Sequence, residues 1–142
     1  MADLAICLAL PLVVVVRPGL GTLNHTLLTL EAARARGIHV LGVILSGWRQ
    51  PTDLATRTNP ALLCHLGRVA LLGVLPWDPT LRVEHLRLGQ LRRWAADAVG
   101  PALGGRFDAT AFLASLADPP TGPPLAPMGE RGPGGEGSHA PR

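Results

Sequence analysis

The chain is predicted to fold as an α/β protein on a parallel sheet, and three features of its sequence carry that prediction. Apolar runs rich in β-branched residues, at 13–16, 39–45 and 69–75, alternate with segments of helical spacing. That alternation favours parallel strands joined by crossover helices. The first run, Val13, Val14, Val15 and Val16, has no polar position on either side, as a strand buried on both faces requires. Such a strand wants neighbours on both edges and helices on both faces, and three strands are few. The chain therefore reads as a partial parallel sheet belonging to a larger, three-layer fold.

Taken in order, Asp3 can cap a short helix reaching Leu10, which Pro11 ends before the first strand. After the valines, Arg17, Pro18, Gly19 and Gly21 make a turn, and Thr22 can act as N-cap of the next helix. In that helix Leu23, Leu27 and Leu30 recur at helical spacing, Leu28, Ala32 and Ala35 widen the stripe, and Gly37 sits at the left-handed C-cap. This strand, glycine turn and helix leave the N–H groups of Leu23, Asn24 and His25 without acceptors at the carboxyl edge of the sheet. Doubly wound folds place anionic ligands there.

The second strand ends at Ser46 and Gly47, and residues 47–58 read as a polar loop on the same edge. Asn59 caps, and Pro60 begins, a short helix that Gly67 closes. Pro76 stops the third strand. Leu86, Leu88, Leu91, Trp94 and Ala95 fit a helix to about Val99, and Asp108 caps a last one. From Pro119 onward 13 of 24 residues are Pro or Gly, so 119–142 is expected to be a disordered tail behind a single domain, 1–118.

Composition excludes several functions. Residues 1–118 hold 11 arginines against 8 acidic residues, which accounts for the net charge of +3, yet no basic run exceeds Arg92 and Arg93. Nucleic acid is not an expected partner. The chain contains no lysine and no tyrosine, so it has no side chain for chemistry that needs an ammonium group. Cys7 and Cys64 match no metal or redox spacing and read as reduced core thiols. The apolar run 4–16 is interrupted by Pro11, follows Asp3 and lacks a basic leader, so neither a membrane span nor a signal is expected, and the protein is placed in the cytoplasm.

The segment LPLVVVVRPGLGTLNHTLLTLEAARARGIHVLGVILS, followed by NPALLCHLG and GVLPW, resembles the carboxyl-terminal half of dethiobiotin synthetase. The resemblance covers roughly residues 3–116, and its most specific piece is LGTLNH, from Leu20 to His25. It implies a P-loop NTPase-like fold and a homodimeric ligase of biotin biosynthesis, which closes the ureido ring of 7,8-diaminopelargonate with carbon dioxide, ATP and magnesium. The family's P-loop, its catalytic lysine and its Glu-Gly-Ala-Gly-Gly segment precede the matching region and have no counterpart here. The chain is thus expected to be a truncated half, inactive alone, whose complement lies upstream or in a separate chain; no catalytic residue and no metal ligand is assigned within it.

The resemblance also implies site residues. The turn at Gly21, Thr22, Leu23 and Asn24 would hold the substrate carboxylate of the neighbouring subunit on backbone amides; the bland alternative is a well-capped core helix. Asn24 and His25 read equally as packed helix residues. Ser46 stands where the family usually has an asparagine that reads adenine, and a hydroxyl cannot supply an amide's paired donor and acceptor. Leu75, Pro76 and Trp77 match the loop that lines adenine, or simply a strand end with a half-buried Trp. Glu84 is a candidate for the ribose hydroxyls or a solvated residue, and Arg17 either helps an anion or covers the sheet edge. Two other functions stay open: a non-enzymatic dimerisation or regulatory remnant of the fold, and part of a cobyrinate-type amide ligase.

Overall fold

β-Branched runs and leucine stripes do alternate as read. The computed structural model describes residues 2–50, 52–80 and 88–117. Its elements are α1 (Ala2–Leu8), β1 (Leu12–Val16), α2 (Thr22–Ala35), β2 (Val40–Trp48), α3 (Leu54–Gly67), β3 (Leu71–Pro76), α4 (Leu88–Ala98), a 3₁₀ turn at Pro101–Leu103 and α5 (Ala109–Ala117). The three strands form one parallel sheet in the order β1-β2-β3, so the fold is α/β. Glu84 and the segment expected to be a tail lie outside the described residues.

The centre of the molecule is β2. Its Val43 and Leu45 are fully buried against Leu30 of α2 and Leu63 of α3, with Leu71 and Val74 of β3 and Phe112 of α5 joining the same cluster. Burying side chains of this size stabilises by about 1.5–3 kcal/mol each. Val14 and Val16 pack onto the cluster, but Val15 points the other way and is 60% exposed. The valine strand is therefore an edge strand, not one buried on both sides, because β2 is its sole sheet neighbour among the described residues.

Several local expectations change. Gly21, at φ 86, is the N-cap of α2, and no side chain caps there; Thr22 lies inside the first turn and is buried. The N–H of His25 is already bonded to the Gly21 carbonyl at 3.2 Å, so of the three only Leu23 and Asn24 N–H find no acceptor among the described residues. At the other end Gly37 does adopt φ 71, and Gly37 N–H to Arg34 O with Ile38 N–H to Ala33 O forms a Schellman ending.

Helix α3 starts earlier than Pro60 suggested. The Asp53 carboxylate accepts from Thr56 N–H at 2.6 Å, which caps the helix and holds that carboxyl below the usual carboxylate range. Pro60 and Asn59 are then interior and buried. Gly67 is the last helical residue rather than the cap: a Cβ there would meet Leu30 Cδ1 at 2.9 Å, while Arg68 takes the left-handed conformation at φ 46. Arg34 of α2 donates to the Gly67 and Arg68 carbonyls at 2.7 and 3.0 Å, closing the end of α3. Asp108 caps α5 as read, accepting from Thr110 and Ala111.

β2 runs three residues past Leu45, and helix α1 ends at Leu8 with none of its residues buried. Cys7 is accordingly exposed rather than a core thiol, whereas Cys64 is partly buried and its thiol pKa is pushed up by desolvation. No helix among the described residues is long and apolar enough to cross a membrane.

Candidate functional site

Parallel pairing brings the carboxyl ends of β1, β2 and β3 to one edge, and two recesses open there. One, of about 510 Å³, lies along β1 and the start of α2; the other, of about 590 Å³, lies between the ends of β2 and β3. Arg17 and Pro18 line both, so the two recesses meet at the glycine turn.

The turn needs its glycines. Gly19 and Gly21 have φ of 111° and 86°, a region that residues with a Cβ rarely enter. Asn59, buried in α3, donates its Nδ2 to the Gly19 carbonyl at 2.6 Å and ties the turn to that helix. It is the positioning residue that sequence reasoning assigned to a helix cap. Its bond spans 40 positions, so nothing local announces it.

Around the first recess stand Thr22, His25, Thr26 and Thr29. Thr26 is 2% exposed, and its Oγ1 has no hydrogen-bond partner among the described residues. An unpaired buried hydroxyl costs about 1–3 kcal/mol, so a polar group entering here would regain that bond. Of the four residues expected to hold a carboxylate, Thr22 lines the recess; Gly21 shapes its turn, Leu23 packs toward the core, and Asn24 is exposed. The N–H groups of Leu23 and Asn24 sit at the positive end of a 14-residue helix.

The second recess gathers four residues predicted to line a nucleotide, Ser46, Leu75, Pro76 and Trp77. Ser46 pairs with Leu75 across the two strands, and Trp77 N–H donates to the Trp48 carbonyl at 2.7 Å, which locks the strand ends together. Sequence reasoning missed Arg49, Asp78 and Trp94, which also line this recess. The Arg49 guanidinium lies over the Trp77 ring, 4.1 Å from its centroid, a cation–π stack at the mouth. Asp78 Oδ1 accepts from the Thr80 N–H and hydroxyl at 2.8 and 2.6 Å and folds the following turn. Two guanidinium groups, two indoles and strand-end backbone suit a flat heterocycle carrying negative charge. No group of three or more His, Cys, Asp or Glu that could hold a metal stands among the described residues.

A family model described as an AAA domain matches residues 1–85. The chain is 42% identical over 112 residues to the ATP-dependent dethiobiotin synthetase BioD of Parafrankia sp. (strain EAN1pec), an alignment covering 79% of this chain and 45% of that relative. It is 43% identical over 116 residues to the protein of the same name from Frankia casuarinae, covering 80% and 46%, and 50% identical over 74 residues to that of Rhodococcus erythropolis, covering 52% and 33%. The chain thus spans less than half the length of each of these relatives.

Proposed function

Because the chain belongs to the AAA-domain family matched over residues 1–85, and because its relatives are dethiobiotin synthetases, we propose that it supplies part of an ATP-dependent dethiobiotin synthetase. The reaction is closure of the ureido ring of 7,8-diaminopelargonate with carbon dioxide. The observation that carries this reading is the junction of two recesses at Arg17 and Pro18, one beside a helix N-terminus and one walled by indoles and guanidinium groups. Such a pair can hold a carboxylate at one end and a nucleotide at the other.

In this reading Gly21 sets the turn, and Leu23 and Asn24 present backbone donors to the substrate carboxylate, with Thr22 and Thr26 lining its path. Ser46, Leu75, Pro76 and Trp77 receive the base of ATP, and Arg17 faces the space between the two ligands. Glu84 is kept as a candidate for the ribose. The 142 residues hold no lysine, so a lysine contact to the transferred phosphate would come from another segment or another chain, whereas Arg17 is a guanidinium that this chain itself supplies. That assembly is either a homodimer of a longer polypeptide or a pairing with a complementary P-loop half, in the cytoplasm. The magnesium that such a ligase uses meets no group of three or more His, Cys, Asp or Glu among the described residues.

Genetic complementation tests the proposal. A strain lacking dethiobiotin synthetase should grow without biotin when it expresses this chain together with the portion of the Parafrankia relative that the chain does not cover. Neither piece alone should suffice. Failure of the pair, with both pieces soluble and associated, would sink the proposal.

A further inference from the structure

We infer that Arg49, stacked on Trp77 at the mouth of the β2–β3 recess, reads the base of the bound nucleotide, and that the recess accepts guanine and cytosine nucleotides at least as well as adenine nucleotides. This rests on the nucleotide reading of that recess.

The position of the stack is fixed from both strands. Trp48, the residue before Arg49, is buried, pairs with Pro76 and accepts the Trp77 N–H, so the backbones carrying the guanidinium and the indole cannot drift apart. Arg49 covers one face of an indole that is itself 53% exposed, and a base entering on that side meets the guanidinium rather than the ring.

A guanidinium is a fork of donors with no acceptor. It pairs well with a base edge that sets two acceptors side by side, as guanine does with O6 and N7 and cytosine with O2 and N3. Adenine places its amino donor beside both N1 and N7, so one arm of the fork there meets a donor. Ser46 brings a hydroxyl that donates or accepts equally, and Oδ1 of Asp78 is engaged by Thr80.

The full 142-residue chain should be titrated with AMP, GMP, CMP and UMP, following the indole N–H resonances, because monophosphates leave the base to decide the order. GMP and CMP should bind at least as tightly as AMP. Replacing Arg49 with Gln exchanges the fork for an amide that matches adenine's donor and acceptor, so Arg49→Gln should swing the AMP-to-GMP ratio about fivefold or more toward adenine. Arg49 is exposed, and an unchanged melting temperature would show that the variant keeps its fold. AMP binding clearly tighter than GMP and CMP in the wild type would overturn the inference, as would Arg49→Gln weakening all four ligands by one common factor, the mark of a phosphate contact. Absence of binding by all four would overturn the nucleotide reading itself, and this inference with it.

Discussion

The two edges of the sheet are finished differently. At β3 the chain returns: Gly100 N–H donates to the Leu72 carbonyl at 2.7 Å, Val99 bridges Gly73, and Phe107 N–H bonds back to Val99 O at 3.0 Å. The close approach is possible because Gly73 has no side chain; a Cβ there would lie 2.5 Å from the Ala98 carbonyl oxygen. At β1 no described segment hydrogen-bonds the outer edge, and Leu12–Val16 carries neither the charge nor the proline by which edges are commonly blunted, its one irregularity being a register shift against β2 between Leu12 and Val13. One edge is sealed by backbone and glycine, and the other is left as a template for a further strand. Leu75, Pro76 and Trp77 carry the sealed strand into the β2–β3 recess, while the open edge runs along the recess where Thr26 Oγ1 has no partner among the described residues.

Breaking the seal should have the largest effect. Gly73→Val installs a residue that strands favour, yet its Cβ would be forced against the Ala98 carbonyl and Val99 Cα. Because both contacts are backbone, we expect a loss of about 3 kcal/mol or more, read as a lower urea midpoint. A neutral or stabilised variant would mean that segment 99–107 does not close this edge.

On the open side the sensitive point is Asn59. Asn59→Ala removes the donor on the Gly19 carbonyl and should cost about 1–3 kcal/mol. The loss should come with faster hydrogen exchange in residues 19–25 while the amides of Val99 and Gly100 stay protected. Equal loosening at both places would show that the two edges are not independent.

These positions also show what could be read beforehand. The strands, α2 and α5 announce themselves through local chemistry: β-branched runs, leucines at helical spacing, Gly37 after a helix and Asp108 before one. The β2–β3 recess was half legible, since the family resemblance picks out Ser46, Leu75, Pro76 and Trp77, whereas Arg49 joins them only through a stack on a residue 28 positions away. Pro60 obscures the start of α3, because a proline reads as a first-turn residue whereas the cap, Asp53, stands before the helix begins at Leu54. The bond of Asn59 to Gly19, the closure by Val99 and the exposure of Cys7 are tertiary outcomes with no periodic signature. Uniform valine suggested full burial for β1, but composition records what a strand suits, not what covers it.

A smaller effect distinguishes the start of α3, which sits next to the glycine turn. The Thr56 N–H holds the Asp53 carboxyl below its ordinary range, so this group contributes stability at and above the unfolded-state pKa and loses it as pH falls through the folded-state value. Asp53→Asn should therefore narrow the difference in melting temperature between neutral and acid solution. An unchanged difference would assign acid sensitivity to other carboxylates.

The smallest expected change in stability is at Val15, and it separates the edges most directly. Its side chain is 60% exposed and points away from the main cluster, so Val15→Lys should alter stability by no more than about 0.5 kcal/mol. Association is another matter. An uncovered parallel edge with an apolar face recruits strands from other molecules, and a charge placed on it opposes that pairing. The wild-type chain should self-associate in size-exclusion chromatography as its concentration rises, and Val15→Lys should shift it toward monomer with its melting temperature unchanged. A substitution of the same kind beside the sealed edge, Ala102→Lys on the exposed 3₁₀ turn, should leave association as it was. If both variants dissociate the protein equally, net charge is responsible rather than the edge; if neither does, the chain associates through some other surface and β1 is not the template its geometry makes it.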